Sequence, residues 1–329
     1  MFRKILVPLD GSPTAETVLP CAEEIAGRMG SQITLLGVLD YGAVRYEHLY
    51  RCYLEGRAGA LERRIRESGG PDVTVTPLLV REKVDEDLVC EEPPGITLGH
   101  PAGDIVGAAA SQGTSLILMA SHGHSGLRRL ALASVTDAIV RGCGLPVLIV
   151  RPESRVSEKR GEICRNIVVP LDGSAMAEKA LRVVEEMADK MCGQGMKVNL
   201  IHVAPERRVA TTDEPSPDFL EHVADPAWCK AGDKAELYFK QAEEYLKKAG
   251  GKLEAGGVAV SHVVRIGKPD EEISRLAAET GSSMVVMTCH ARTGLSRYLM
   301  GSVADRILHS VEASVLLLRP DKPQPAGLE

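Results

Sequence analysis

The sequence predicts an α/β fold made of two tandem domains, each a doubly wound sheet of five parallel strands. The chain has 329 residues, more than one hydrophobic core usually organises. The hexapeptide Val-Pro-Leu-Asp-Gly-Ser at residues 7–12 recurs letter for letter at residues 169–174, which indicates an internal duplication. In each half, runs rich in Val, Ile and Leu alternate with segments of helical periodicity, a pattern typical of a parallel sheet covered by helices.

A second repeated stretch extends the duplication to the end of each half. Residues 122–139 resemble residues 290–307, and both halves close with an apolar strand followed by Arg-Pro. We therefore predict one domain at residues 1–152 and another at residues 163–320. A charged linker at 153–162, without apolar periodicity, joins them, and residues 321–329 form a tail.

The elements of each half follow in order. The first strand is expected at residues 5–9, and Ser12 can cap a helix that has Pro13 at its first position and apolar residues at helical spacing up to Ala26. Ser174 begins the corresponding helix of the second half. Further strands are predicted at 32–38 and 115–120, and at 197–203 and 283–288. Helices are predicted near 104–111 and 271–279, and last strands within 146–152 and 314–320. In such a fold a ligand binds at the carboxyl ends of the strands, where the winding reverses.

Composition narrows the classes of function. The net charge of -6 is spread along the chain, so we expect no nucleic-acid partner. No apolar stretch approaches the roughly 18 residues of a membrane span and the first residues lack the apolar core of a signal peptide, so we expect a cytoplasmic protein with no membrane partner. The eight cysteines form no C-x-x-C pair and are interpreted as reduced. Phosphate-loop, zinc-protease and esterase motifs are missing from the sequence, and we expect neither a metal site nor catalytic residues.

The repeated residues resemble the universal stress protein family, once in each half. In that family the first strand ends in an aspartate that faces an adenine nucleotide, and a loop of pattern G-x2-G-x9-G-[ST] after the fourth strand wraps the phosphates. Asp10 and Asp172 match the aspartate. The resemblance implies the Rossmann-like, adenine nucleotide alpha hydrolase-like form of the fold, and a regulatory protein rather than an enzyme.

The resemblance also implies a set of site residues at the carboxyl edge of each sheet. These are Pro8, Asp10, Val38, Gly123, Gly126, Ser134 and Val135 in the first half, and Pro170, Asp172, Val203, Gly294, Gly301, Ser302 and Val303 in the second. A strand-end carboxylate can accept hydrogen bonds from ribose, and a helix N-terminus offers N–H groups to phosphate. The implied cofactor is ATP or another adenine nucleotide, together with the Mg²⁺ that can accompany it.

The loop pattern is incomplete in both halves. Alanine replaces glycine at residues 120 and 133, and Thr288 and Ala291 replace it in the second half, where a Cβ would obstruct a close approach of backbone to ligand. The alternative function is therefore a nucleotide-free adaptor whose pocket is vestigial or accepts another small ligand. An ATP-hydrolysing enzyme ranks third, because no base or metal-carboxylate pair accompanies the loop.

The candidate residues also have structural alternatives. Asp10 and Asp172 could cap the turn into the first helix, and Ser134 and Ser302 could cap the last helix of each half. If a single half binds nucleotide, we expect the second, because it alone keeps glycine and serine together at the start of the last helix. The first half keeps Gly123 directly after its fourth strand.

The duplication predicts an intramolecular pseudo-dimer. The last strands, residues 147–150 and 315–318, are apolar edge candidates that would invite aggregation if left bare. A homodimer and an unknown protein partner are compatible with this arrangement. An acidic insertion at 80–95 and a long loop at 205–232 distinguish the halves, and we interpret both as solvated surface segments rather than as partner-binding lids.

Overall fold

A computed structural model of the chain describes residues 2–81, 101–121, 132–152, 163–192, 195–204, 234–289 and 300–319. The chain divides into two compact units, one built mainly from the residues before Gly161 and the other mainly from those after it. The linker at 153–162, the loop at 205–232, the tail at 321–329 and nearly all of the acidic insertion lie outside the described residues.

The first half contains a sheet of five strands in the order β3-β2-β1-β4-β5. These strands are β1 (Lys4–Pro8), β2 (Gln32–Leu39), β3 (Val75–Arg81), β4 (Leu116–Ala120) and β5 (Val147–Val150). Its helices are α1 (Pro13–Glu16), α2 (Leu19–Met29), α3 (Glu47–Glu67), α4 (Pro101–Ser111) and α5 (Leu132–Gly142), with a 3₁₀ segment at Tyr41–Tyr46 before α3.

The second half repeats this order as β8-β7-β6-β9-β10. Its strands are β6 (Asn166–Pro170), β7 (Lys197–Ala204), β8 (Ala259–Ile266), β9 (Met284–Thr288) and β10 (Ser314–Leu318). Its helices are α6 (Ala175–Met187), α7 (Lys234–Ala255), α8 (Pro269–Thr280) and α9 (Ser302–Ser310), with a π-helical turn at Ala188–Cys192 after α6. The predicted alternation of strands and helices is confirmed in both halves.

Parallel pairing of the central strands creates the edge where a ligand could bind. β1 pairs in parallel with β2 and with β4, and β6 pairs in parallel with β7 and with β9. Because the winding reverses at β1 and at β6, the carboxyl ends of three adjacent strands meet there. The helices pack in pairs, α2 with α3 and α4 with α5 in the first half, and α6 with α7 and α8 with α9 in the second.

The core is aliphatic, in a sequence that has only three Phe and one Trp. Ile5, Leu6, Ile167 and Val168 at the centres of β1 and β6 are at most 1% exposed. Val, Ile and Leu suit such strands because branched side chains fill the space on both faces of a buried sheet. Within the described part of the chain, no helix is both long enough and apolar enough to cross a membrane.

The first helix of the first half is split, which corrects the single helix predicted after Ser12. α1 ends at Glu16 and α2 begins at Leu19. Pro20 explains the break, because it has no N–H to donate to the carbonyl four residues earlier and its ring would collide with that carbonyl. In the second half α6 runs unbroken from Ala175 to Met187, and its sequence contains no proline.

Candidate functional site

The repeated hexapeptide forms the same turn at the carboxyl end of β1 and of β6. The N–H groups of Leu9 and Leu171 donate to the neighbouring second strand, both at 2.8 Å, so the residue after each strand is still tied to the sheet. Gly11 and Gly173 then adopt φ angles of 82° and 86°, a region that favours glycine. This turn carries the chain from the sheet into the first helix.

Each turn holds one of the predicted aspartates. Asp10 Oδ1 accepts from the Ser12 N–H at 2.9 Å, and Asp172 Oδ1 accepts from the N–H and the hydroxyl of Ser174 at 3.0 Å and 2.7 Å. Each serine oxygen accepts from the amide three residues further on, at 3.1 Å, and so caps its helix. Asp10 and Asp172 therefore do cap the turn into the first helix, the alternative that the sequence left open. Both aspartates are also exposed, so their carboxylates remain accessible to a ligand.

The other predicted residues of the first two strands lie at the same edge. Pro8 and Pro170 end β1 and β6, and Val38 and Val203 are the next-to-last residues of β2 and β7. All four are half-buried. Since β1 pairs with β2 and β6 with β7, the structure brings these positions together with the aspartate turn of the same half.

The last helix of the second half begins without a side-chain cap. Gly301 is the N-cap residue of α9, with φ -63° and ψ 148°, and no side chain caps the helix within the described residues. The first intrahelical bond runs from the Asp305 N–H to the Gly301 carbonyl at 3.0 Å. Ser302 is the exposed first residue of α9 and Val303 follows it. The N-terminal turn therefore presents backbone N–H groups at its end, where they favour an anion.

The expectation that a serine caps the last helix needs correction in both halves. Ser302 is not the cap, because Gly301 occupies that position, and Ser134 lies inside the first turn of α5, which begins at Leu132. Gly301 also has a φ that any residue adopts. A left-handed backbone therefore does not explain its glycine.

Part of the predicted loop lies outside the described residues. Gly123, Gly126 and Gly294 belong to this part, and Val135 follows Ser134 in the first turn of α5. In the described ranges, no group of three His, Cys, Asp or Glu side chains could hold a metal ion.

The end of β9 carries a departure from the family's loop pattern. Thr288 replaces its first glycine and is buried, and the neighbouring Cys289 is buried as well. Burial raises the pKa of the Cys289 thiol to about 11. The thiol is therefore protonated at neutral pH, and the thiolate that a nucleophile requires is scarce.

A further repeat escapes the sequence analysis. The pattern Tyr-x6-Tyr-Leu-x6-Leu-Glu occurs at residues 46–62 and again at 238–254, along α3 and along α7. The spacing between the two copies of this pattern differs from the spacing between the copies of the other repeats, because the second half has a longer loop before its helix. A comparison that allowed an insertion at residues 205–232 would have found the pattern.

In the second half these tyrosines surround a buried histidine at the carboxyl end of β7. His202 is 4% exposed, with Nδ1 at 2.8 Å from the Leu171 carbonyl oxygen and Nε2 at 2.7 Å from Tyr238 Oη. A carbonyl can only accept, so Nδ1 carries the proton. Because burial disfavours a charged imidazole, the ring is neutral and Nε2 accepts from the Tyr238 hydroxyl. Tyr245, two turns further along α7, meets the imidazole edge-on with ring centroids 6.5 Å apart.

Tyr245 is the second tyrosine of this cluster. Its side chain is 9% exposed, and its Oη makes no hydrogen bond of normal length within the described residues. Burial raises the pKa of Tyr245, and the nearby carboxylates of Glu178 and Asp172 raise it further. The hydroxyl is therefore uncharged at neutral pH.

The corresponding residues of the first half are arranged differently. Tyr53 Oη donates to Glu16 Oε1 at 2.8 Å, and an Arg57 nitrogen lies 2.9 Å from the same oxygen. Tyr46 is 43% exposed, and the Arg45 guanidinium lies over its ring, 4.8 Å from the ring centroid. Gly37 occupies the position that corresponds to His202. Gly37 follows Leu36, which pairs with Pro8 at the end of β1, and His202 follows Ile201, which pairs with Pro170 at the end of β6.

Comparison with known proteins identifies the family. The model of the universal stress protein family matches the chain twice, at residues 1–151 and 164–319. The chain belongs to the universal stress protein family. It contains the family's domain in two tandem copies, as the duplicated hexapeptide predicts.

Relatives agree with this assignment. Universal stress protein MJ0577 of Methanocaldococcus jannaschii is 29% identical over 157 residues, which are 46% of this chain and 96% of that protein. Universal stress protein Rv2005c of Mycobacterium tuberculosis is 26% identical over 209 residues, 64% of this chain and 63% of that protein. A solved universal stress protein from Archaeoglobus fulgidus is 17% identical and superposes with a TM-score of 0.61 over 96% of both chains. The doubly wound fold is thus shared along nearly the whole chain.

Proposed function

We propose that the chain is a regulatory protein that binds ATP or a related adenine nucleotide in its second half. One observation carries the proposal: the exposed Asp172 carboxylate follows β6, and β9, the strand that precedes α9, pairs in parallel with β6. No side chain caps the N-terminus of α9 within the described residues. A carboxylate suits ribose hydroxyls, and free N–H groups at a helix N-terminus suit phosphate. The resemblance to the family implies the same two chemistries at a nucleotide and so supports the proposal.

We propose binding with slow turnover or none. The groups at this edge can accept from ribose and donate to phosphate, whereas an attack on the γ-phosphate would need a base or a metal-carboxylate pair as well. Mg²⁺ would be carried by the triphosphate in this proposal. The domain limits 1–152 and 163–320, a cytoplasmic location and a pseudo-dimer of the halves belong to the same proposal.

A nucleotide-free adaptor is the second candidate. It is favoured by Thr288, a buried side chain where the family's loop pattern has glycine. Extraction of small molecules that co-purify with the chain, followed by mass spectrometry, separates the two candidates. An adenine nucleotide at about one mole per mole of chain supports the first, and its absence after purification without dialysis supports the adaptor.

A matched pair of variants tests the site. We expect Gly301→Val to remove most ATP binding in calorimetric titration, because a branched side chain would fill the space that the phosphates approach. The backbone angles of Gly301 suit valine, so the thermal midpoint should stay close to that of the wild type. Gly123→Val should weaken binding much less. The opposite ranking would assign the site to the first half.

A further inference from the structure

The duplicated tyrosine pattern has two different structural outcomes. In the second half Tyr238 and Tyr245 face His202, and the histidine is buried between α7 and the end of β6. In the first half Gly37 replaces the histidine, and a Cβ at Gly37 would lie 3.0 Å from Leu79 and 3.1 Å from Leu54. The space that the imidazole fills in one half is closed by leucine side chains in the other.

The presence of His202 in one half and Gly37 in the other changes the hydrogen bonds of the residue directly before the aspartate, Leu171 or Leu9. Leu171 donates its N–H to the Ile201 carbonyl at 2.8 Å and accepts from His202 Nδ1 at 2.8 Å. The Leu9 N–H donates to β2 in the same way, but Gly37 has no side chain that could donate to the Leu9 carbonyl. The second-half turn is therefore held at both polar groups of the residue that precedes the aspartate.

The Tyr238 hydroxyl completes this anchor. A neutral histidine that donates through Nδ1 needs a donor for Nε2 when it is buried, because an unsatisfied buried acceptor is costly. Tyr238 supplies that donor from α7 at 2.7 Å. A chain of two hydrogen bonds thus runs from α7 through β7 to the main chain that carries Asp172.

We propose that His202, oriented by Tyr238, is a positioning residue that fixes the Asp172 turn and gives the second half a preformed ligand site that the first half lacks. The part of this inference that concerns affinity rests on the proposed nucleotide function. The part that concerns the turn does not, because it describes the free protein. A site whose groups are already placed binds more tightly, since less ordering occurs on binding.

The test uses Tyr238→Phe and its repeat counterpart Tyr46→Phe. Phenylalanine keeps the ring that packs on His202 and removes only the donor. We expect amide hydrogen exchange at Leu171 and Ser174 of the nucleotide-free protein to rise about tenfold in Tyr238→Phe, roughly the effect of one lost hydrogen bond. Exchange at Leu9 and Ser12 should not change. Tyr46→Phe, which alters an exposed ring, should change none of these four amides.

Three further readouts separate positioning from general stability. The ring-nitrogen chemical shifts of His202 should report a protonated Nδ1 in the wild type, with the Nε2 resonance moving in Tyr238→Phe only. His202→Asn keeps a donor near the position of Nδ1, whereas His202→Leu does not, so exchange at Ser174 should increase in the order wild type, Asn, Leu. ATP affinity should fall about tenfold in Tyr238→Phe and stay unchanged in Tyr46→Phe.

The outcomes are distinguishable. Unchanged exchange at Leu171 and Ser174 in Tyr238→Phe, or an equal rise across the whole second half, would overturn the positioning role. Faster exchange at the turn with unchanged ATP affinity would overturn its link to the ligand. If the wild-type protein binds no ATP at all, the proposed function fails, while the exchange measurements still decide whether His202 fixes the turn.

Discussion

At the scale of single residues, the glycine of the repeated turn shows how backbone conformation limits the choice of side chain. Gly11 has φ 82°, and a Cβ built on it would meet no atom within 4 Å. Any cost of a side chain there comes from the backbone conformation alone. Gly56, in the exposed part of α3, also has no atom within 4 Å of such a Cβ, but its backbone is helical.

The two glycines therefore predict opposite effects of the same substitution. Gly11→Ala should lower the free energy of unfolding by about 1 kcal/mol, because a left-handed conformation is unfavourable for alanine. Gly56→Ala should raise it by up to about 1 kcal/mol through helix propensity. Urea unfolding of both variants measures the difference. Shifts of the same sign would show that the turn tolerates alanine by changing its conformation.

Single residues also show the limits of sequence interpretation. Asp10 and Asp172 are found where the hexapeptide predicts them, because strand, turn and cap are all encoded within a few neighbouring residues. Ser302 is not the cap that its type suggests, because Gly301 already has the extended conformation that a cap residue needs. His202 was missed, since an isolated histidine in an apolar strand has no local pattern that reveals its partners.

At the scale of elements, an ionic network holds β8 to α8 beside the second-half sheet edge. Arg265 on β8 bonds Glu279 and lies 3.4 Å from Glu272, and Arg275 lies 2.5 Å from Glu272. The hydrogen bond from Arg265 lowers the pKa of the Glu279 carboxyl below its ordinary value of 4.5. The ionised carboxylate is thus favoured in the folded protein.

This shift predicts a pH-dependent effect of Glu279→Gln. A lowered folded-state pKa stabilises the protein above the unfolded pKa of about 4.5, and the contribution is lost as the pH falls through the lower folded value. We expect Glu279→Gln to reduce the thermal midpoint slightly at pH 7, because the pair is exposed and screened by solvent, and to have no effect near pH 2. Glu243→Gln, an exposed α7 position with no ion pair within the described residues, is the control. A difference that persists at pH 2 would contradict the ionic explanation.

At the scale of the whole molecule, the two copies of one domain carry different residues at the carboxyl edges of their sheets. The second half has the His202 anchor and the Gly301-Ser302 helix start, whereas the first has Gly37 and an exposed Tyr46. Duplication followed by divergence of one copy allows a chain to keep ligand binding in one domain and lose it in the other.

We therefore expect one adenine nucleotide per chain. Calorimetric titration should give a stoichiometry near one, and Asp172→Ala should weaken that single site by about one to two decades, the value of a hydrogen bond to a charged group. A thermal melt of the same sample distinguishes lost contact from lost fold. A stoichiometry of two would show that the first half binds as well. A homodimer stays a prediction of the sequence, which sedimentation velocity checks, and the intramolecular pseudo-dimer stays a prediction as well.

The sequence by itself determined the duplication, the strand and helix order, and the place of both aspartates, because periodicity, turn glycines and helix caps act over a few neighbouring residues. Only the tertiary structure decided what surrounds those aspartates. His202, Tyr238 and Leu171 come together through pairing of β6 with β7 and packing of α7, contacts between residues far apart in the chain. Such contacts depend on the fit of side chains, and the two copies of one fold differ at the site where one has His202 and the other has Gly37.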